Sequence, residues 1–120
     1  MAGYVKKSVA IGVSQCGNFL RTFLHLGFNA SEKNQIIFDG LNVHVATRKT
    51  SVNIRFGRPG GAGLQHEEII FAGNEAPFTW NITTDPLSGT TGGILENCAK
   101  QGFLPKIMHT LSSTEYWQMR

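Results

Sequence analysis

The 120-residue sequence predicts an α/β domain built on a parallel sheet. Three observations predict it. A short β-branched run, "VAIGV", passes through "SQCGN" into a pattern of helical period, which is the signature of a strand, a tight turn and a helix. Two later runs, "LNVHV" and "PKIMHT", also read as strands. Helical patterns at 15–26 and 94–101 stand before each of them, and strands separated by helices pair in parallel.

Taken in order, residues 5–13 read as a buried strand that ends in glycine. Residues 15–26 read as a helix. Phe19, Leu20, Phe23 and Leu24 make its apolar face, and Gly27 is placed to cap its C-terminus. Polar residues at 29–34 form a loop. The region 35–47 is a second strand, with Leu41, Val43 and Val45 alternating. A short strand is expected at 53–56. From 58 to 93 the texture changes to glycine, proline, asparagine and threonine, in "RPGGAGLQHEE", "NEAPFTW" and "TDPLSGTTGG". A loop-rich insert of that length usually carries function or acts as a lid. A short helix at 94–101 is capped by Gly102, a last strand covers 104–110, and "LSSTEYWQMR" is the loop after it. The whole of 1–120 reads as one domain.

Composition excludes several classes. Apolar content of 41% and charge of 16% describe a globular chain. The net charge is +3, but only Lys6-Lys7 and Arg48-Lys49 are adjacent basic pairs, so no nucleic-acid footprint is present. No apolar run approaches the roughly 20 residues of a membrane span. The N-terminus "MAGYVKKS" has no apolar run after its charges and is not a secretory signal. The sequence assigns neither compartment nor oligomeric state. Two cysteines, Cys16 and Cys98, make no disulfide framework and no zinc motif. Cys16, at the strand–helix junction, is expected to be a small buried thiol. Neither a metal nor a cofactor is expected.

The turn "GVSQCG" supports three chemical readings and one bland one. As G-x-S-x-x-G it is a dinucleotide fingerprint whose middle glycine has become Ser14, with Asp39 about where a ribose-binding acid would stand at the end of a second strand. As G-x-x-x-x-G it is a phosphate loop without its Lys and Ser/Thr, since Asn18 and Phe19 follow. As a nucleophile elbow it lifts the Ser14 hydroxyl above the sheet, with small residues on either side letting strand and helix pass closely. Gly12 fits that role before the serine; Cys16 and then Gly17 follow it. The bland reading is a serine that caps a helix N-terminus.

The rest of the chain bears on that choice. "GVSQCGNFLR", "FDGLNVHVA", "GLQHEE", "PFTW", "TDPLSGTTGGIL" and "PKIMHTLSSTEYW" together resemble, in order and spacing, a family of large bacterial α/β-hydrolase domain proteins whose elbow reads G-x-S-Q-x-G-R-F-L-R. The elbow is also similar to that of glucuronoyl methylesterases, G-x-S-x-x-G. The resemblance implies a partial α/β-hydrolase fold, with central parallel strands around a nucleophile elbow and a loop-rich insert. It implies a serine hydrolase acting on a small-molecule ester, or an amide, through an acyl-enzyme. Asn18 departs from the family's arginine, and with it from any support that arginine gives an oxyanion.

Acyl transfer needs a nucleophile, a base, an acid that orients the base, and oxyanion donors. The resemblance makes Ser14 the nucleophile and the backbone N–H of Gln15 the first oxyanion donor. Glu115, just after the last strand, is the candidate acid. The base should follow the acid in sequence, yet no histidine follows Glu115. His109 and His66 are substitutes out of order; His25 and His44 read as structural. His66, beside Glu67 and Glu68, lacks the second histidine of a zinc motif. An α/β-hydrolase also takes an oxyanion donor from a loop before the elbow strand. The chain is therefore expected to be the central piece of a larger hydrolase, a poor catalyst alone. The aromatic and polar residues Gln65, Phe78, Trp80, Tyr116 and Trp117 would suit sugar and aromatic esters equally. A non-catalytic binding module on the same fold is the alternative.

Overall fold

The computed structural model describes residues 2–47 and 77–118. Three strands form a parallel sheet in the order β1-β2-β5: β1 (Val9–Val13), β2 (Gly40–His44) and β5 (Lys106–Thr110). Helix α1 (Gln15–His25) links β1 to β2 and packs across both. Helix α2 (Glu96–Gln101) precedes β5 and packs on α1. A short antiparallel hairpin, β3 (Thr83–Thr84) and β4 (Thr91–Gly92), occupies the described part of the insert. Helix α3 (Ser113–Gln118) follows β5. The α/β class and the parallel pairing are those the sequence predicts. The expected strand at 53–56, the first part of the insert, Arg48-Lys49, Gln65 and His66 with its two glutamates lie outside the described residues.

Apolar alternation places one face of the sheet under the helices. Leu41 and Val43 of β2 meet Leu20 and Leu24 of α1, together with Ala46, Ile94 and Cys98; Phe23, Phe38 and Ile107 pack around them. Each buried leucine contributes about 2–3 kcal/mol by leaving water. The opposite face is open: Val9, Ile11 and Val13 of β1 and Met108 of β5 are exposed. The expected burial of the first strand is thus corrected. Among the described residues β1 pairs on one side only, and its odd-numbered side chains point away from the helices.

Buried polar groups fix the loops. Asn29 is fully buried, donates to the carbonyls of Phe38 and Phe103 and accepts from the Phe38 N–H. It ties the loop after α1 to the entries of β2 and β5. At the amino end of the sheet, Asp39 accepts from Lys7 Nζ at 2.7 Å and from the Ser8 N–H at 2.9 Å. Those bonds hold its carboxyl below the usual range, the Lys7 bond first.

Three expectations change here. "LSSTEYW" is a helix, not a loop. Its signal is a capping box: Ser112 Oγ accepts from the Glu115 N–H at 3.2 Å, and Glu115 Oε2 accepts from the Ser112 N–H at 3.4 Å. Val45 does not continue the alternation of β2, because the chain turns there at φ 44. Cys16 is exposed, while Cys98 is buried. Cys16 stands in the first turn of α1, off the stripe that faces the sheet.

Helix α1 lies tight on its strand because of two glycines. A Cβ on Gly12 would stand 2.6 Å from the Cys16 carbonyl oxygen, and one on Gly17 would stand 2.6 Å from Ala46 Cβ. The small residue that lets α1 pass is therefore Gly17, three after Ser14, and not Cys16. Gly12→Ala and Gly17→Ala are each expected to cost roughly 1–3 kcal/mol by overpacking. Gly102→Ala, at φ 79 with open space around it, should cost only about 1 kcal/mol of backbone strain. Urea midpoints of the three variants check the order; equal losses would mean that close packing is not what the first two glycines provide.

Candidate site at the carboxyl edge of the sheet

The three parallel strands end in register at Val13, His44 and Thr110. In open α/β sheets ligands bind outside this edge. Ser14 leaves β1 there with φ 54 and ψ −120, and Gln15 begins α1. That backbone conformation is costly for a residue with a side chain, by about 1–3 kcal/mol. The Ser14 N–H donates to the His44 carbonyl at 2.9 Å, and the Ser14 carbonyl accepts the first helical bond from Asn18 at 3.0 Å. Its side chain is exposed and makes no cap hydrogen bond to the helix. The capping role is thereby overturned. Gln15 contributes its N–H to a helix first turn, where amides have no intrahelical acceptor.

Asp39 does not stand at this edge. It precedes β2 and pairs with Lys7 at the amino end of the sheet, so the dinucleotide reading loses its acid. The expectation that Asp39 ends the second strand is wrong by the length of that strand.

Behind the turn lies a buried cluster. Arg21 is 3% exposed. Its Nη1 donates to the Ala46 carbonyl at 3.0 Å and its Nη2 to the Phe78 carbonyl at 2.7 Å, with the guanidinium 5.4 Å from the centre of the Trp80 ring. Trp80 Nε1 donates to His109 Nδ1 at 3.2 Å. An indole nitrogen only donates, so Nδ1 is bare and His109 carries its proton on Nε2, which donates to the Ala46 carbonyl at 3.0 Å. Burial lowers the Arg21 pKa to about 10, opposed by the charge of Glu115. Burial, then Arg21, also lowers the His109 pKa. His109 is thus a neutral ring with both nitrogens engaged, which removes it as a ready base for Ser14. Trp80 is half-buried and packs against this cluster.

Glu115 is buried, on α3 just beyond β5, close enough for its charge to act on Arg21 and His109. β2 separates β5 from the strand that carries Ser14, a span of two strand spacings or about 10 Å. The central strand between them ends in His44, which is exposed and has Nδ1 2.7 Å from Thr110 Oγ1. No imidazole is hydrogen-bonded to the Ser14 hydroxyl among the described residues. His25 is at the far end of α1, where its carbonyl accepts from Asn97 Nδ2. Phe78, Tyr116 and Trp117 are exposed, with the last two rings in edge-to-face contact at 4.9 Å.

Arg21 was missed, although the sequence carries its signal. The buried residues of α1 are Gly17, Leu20, Arg21, Thr22 and Leu24. Phe19, placed on the apolar face by sequence, is 56% exposed. A charged residue at helical spacing inside an apolar stripe marks a buried partner set.

Compared with protein-family models, curated proteins and solved structures, the chain matches none. Among the described residues no helix is long and apolar enough to cross a membrane.

The His109 cluster makes stability depend on pH. Its folded pKa lies below the ordinary 6.5, so below that value the unfolded chain binds more protons than the folded one. Stability is full above 6.5 and falls as pH drops toward the folded pKa. Urea melts at stepped pH should show this loss in the wild type and a shallower one in His109→Gln; parallel curves would remove His109 as the cause.

Proposed function

We propose that this chain carries the nucleophile of a serine hydrolase of the α/β-hydrolase type. The single observation that supports the reading is Ser14 itself. It is a non-glycine residue at φ 54 and ψ −120, between a parallel strand and its helix, with an exposed hydroxyl that does not cap that helix. Strain of this kind persists where the surroundings over-determine it, and it collects at functional sites. A serine held this way presents Oγ at the edge where a substrate would lie.

In this reading Ser14 Oγ attacks the carbonyl carbon of an ester and passes its proton to a base. The carbonyl oxygen becomes an oxyanion against the N–H of Gln15 at the start of α1, where the helix dipole also favours negative charge. The alcohol leaves with the returned proton, and water then releases the acid from the acyl-enzyme. Glu115 serves as the acid that orients the base. It follows β5, which β2 separates from the strand that carries Ser14.

A second reading keeps the fold without the chemistry: a binding module that holds a carbonyl compound at the same edge. One observation favours it, the lack of an imidazole on the Ser14 hydroxyl among the described residues.

A fluorophosphonate probe separates the two. Covalent labelling at Ser14, lost in Ser14→Ala and lowered by a hundredfold or so in Glu115→Gln, is the outcome expected of the hydrolase. A folded chain that never labels at Ser14 belongs to the binding reading. Ser14→Gly supplies an independent check on the strain. It should abolish labelling while raising stability by about 1 kcal/mol, because glycine adopts φ 54 without penalty. A loss of stability would show that the serine side chain holds the turn.

A further inference from the structure

Two side-chain donors, from Arg21 and His109, meet on one carbonyl oxygen, that of Ala46. We infer that Arg21 and His109 are positioning residues for Ser14, acting through the carbonyl of Ala46 that both of them bond. The inference rests on the reading of Ser14 as the nucleophile.

The chain of contacts starts at the strained turn after β2. Val45 has φ 44, and a β-branched side chain makes that conformation a true outlier. The turn has two holds on its own strand neighbours. The Val45 N–H donates to the Thr110 carbonyl at 2.8 Å, and the His44 carbonyl receives the Ser14 N–H at 2.9 Å. Immediately beyond, Ala46 is fully buried, and its Cβ fills the space where a side chain on Gly17 would stand. The turn at 44–46 is therefore the surface on which both Ser14 and the first turns of α1 rest.

A turn at positive φ relaxes unless its surroundings hold it. Here the hold is two donors on one oxygen. Arg21 Nη1 and His109 Nε2 each lie 3.0 Å from the Ala46 carbonyl and occupy its two lone pairs. They come from different elements, Arg21 from α1 and His109 from β5, so the carbonyl is fixed from the helix side and from the sheet. Trp80 completes the arrangement by donating to His109 Nδ1, which keeps the proton on Nε2 where Ala46 needs it. Arg21 also reaches the Phe78 carbonyl at 2.7 Å and so ties the insert to the same point.

A role in packing alone would not call for these groups. Burying a guanidinium carries a desolvation cost that an apolar side chain of similar volume avoids. What the guanidinium and imidazole add is direction, since each aims an N–H at a chosen oxygen.

The test is amide hydrogen exchange by NMR on the full chain, read at Ser14 and, as a reference within α1, at Leu24. Arg21→Met and His109→Leu remove one donor each. His109→Gln keeps a side-chain N–H able to reach the Ala46 carbonyl. Exchange at Ser14 relative to Leu24 should rise about tenfold or more in Arg21→Met and His109→Leu and stay within about threefold in His109→Gln. Fluorophosphonate labelling of Ser14 should fall in the same order, by roughly ten- to a hundredfold, as small displacements of a reacting group do. If Arg21→Met does not fold, Arg21→Lys keeps the charge but replaces the two separate donor nitrogens by one, and its Ser14 amide should exchange faster in the same direction. An unchanged Ser14-to-Leu24 ratio in these variants overturns the inference, and so does a His109→Gln variant that behaves like His109→Leu. A wild type that does not label removes the nucleophile reading alone, and the exchange ratios still decide whether the Ala46 carbonyl holds the turn.

Discussion

Helix α1 lies so close to β1 and β2 that there is no room for a Cβ at Gly12 or at Gly17, and the geometry around Ser14 follows from that closeness. With the helix axis drawn in, the chain must reverse from strand to helix in one residue, and Ser14 takes the positive φ that this reversal needs. The same closeness presses Ala46 against Gly17 and brings the side chain of Arg21, one turn further along, onto the carbonyl of Ala46. The strain at the turn and the buried cationic cluster are two consequences of one packing distance.

The cluster itself is a balance of opposed terms. Burial disfavours charge on both Arg21 and His109, and the Arg21 charge adds to it for His109. The Ala46 carbonyl works the other way on His109, and the charge of Glu115 works the other way on both. The outcome differs for the two groups because their ordinary pKa values differ so widely. Arginine stays charged even when lowered to about 10, whereas histidine, lowered from 6.5, becomes a neutral ring with a fixed tautomer. That division gives the Ala46 oxygen one cationic and one neutral donor, without two buried charges side by side.

Glu115 illustrates how one residue can meet a local need and a distant one. Its backbone and carboxylate close the capping box with Ser112, which starts α3 directly after β5. The capping holds the carboxyl group in a buried place near Arg21 and His109. A glutamate in an unstructured loop would have no such fixed position. The helix that the sequence reading took for a loop is therefore what gives its candidate acid a defined location.

The central order of β1, α1, β2, α2 and β5, their parallel pairing and the bounds of α1 could be read from the sequence, because they rest on local periodicity and on glycine punctuation. Ser14 could be singled out for the same reason: "GVSQCG" is a local pattern. The capping box at 112–115 is equally local. What no local pattern contains is which face of the sheet the helices cover, and so Val9, Ile11 and Val13 read as buried where tertiary packing leaves them exposed. Nor does it contain the end of the sheet at which Asp39 falls, the capture of Trp80 by His109, or the meeting of Arg21 and His109 on Ala46, whose partners stand 25 and 63 residues away in sequence. The sequence by itself determined the central strands and helices and the turn, since backbone propensity and apolar period act over a few residues. Only the tertiary structure decided which buried donors share an acceptor, because that depends on how closely α1, β2 and β5 pack together.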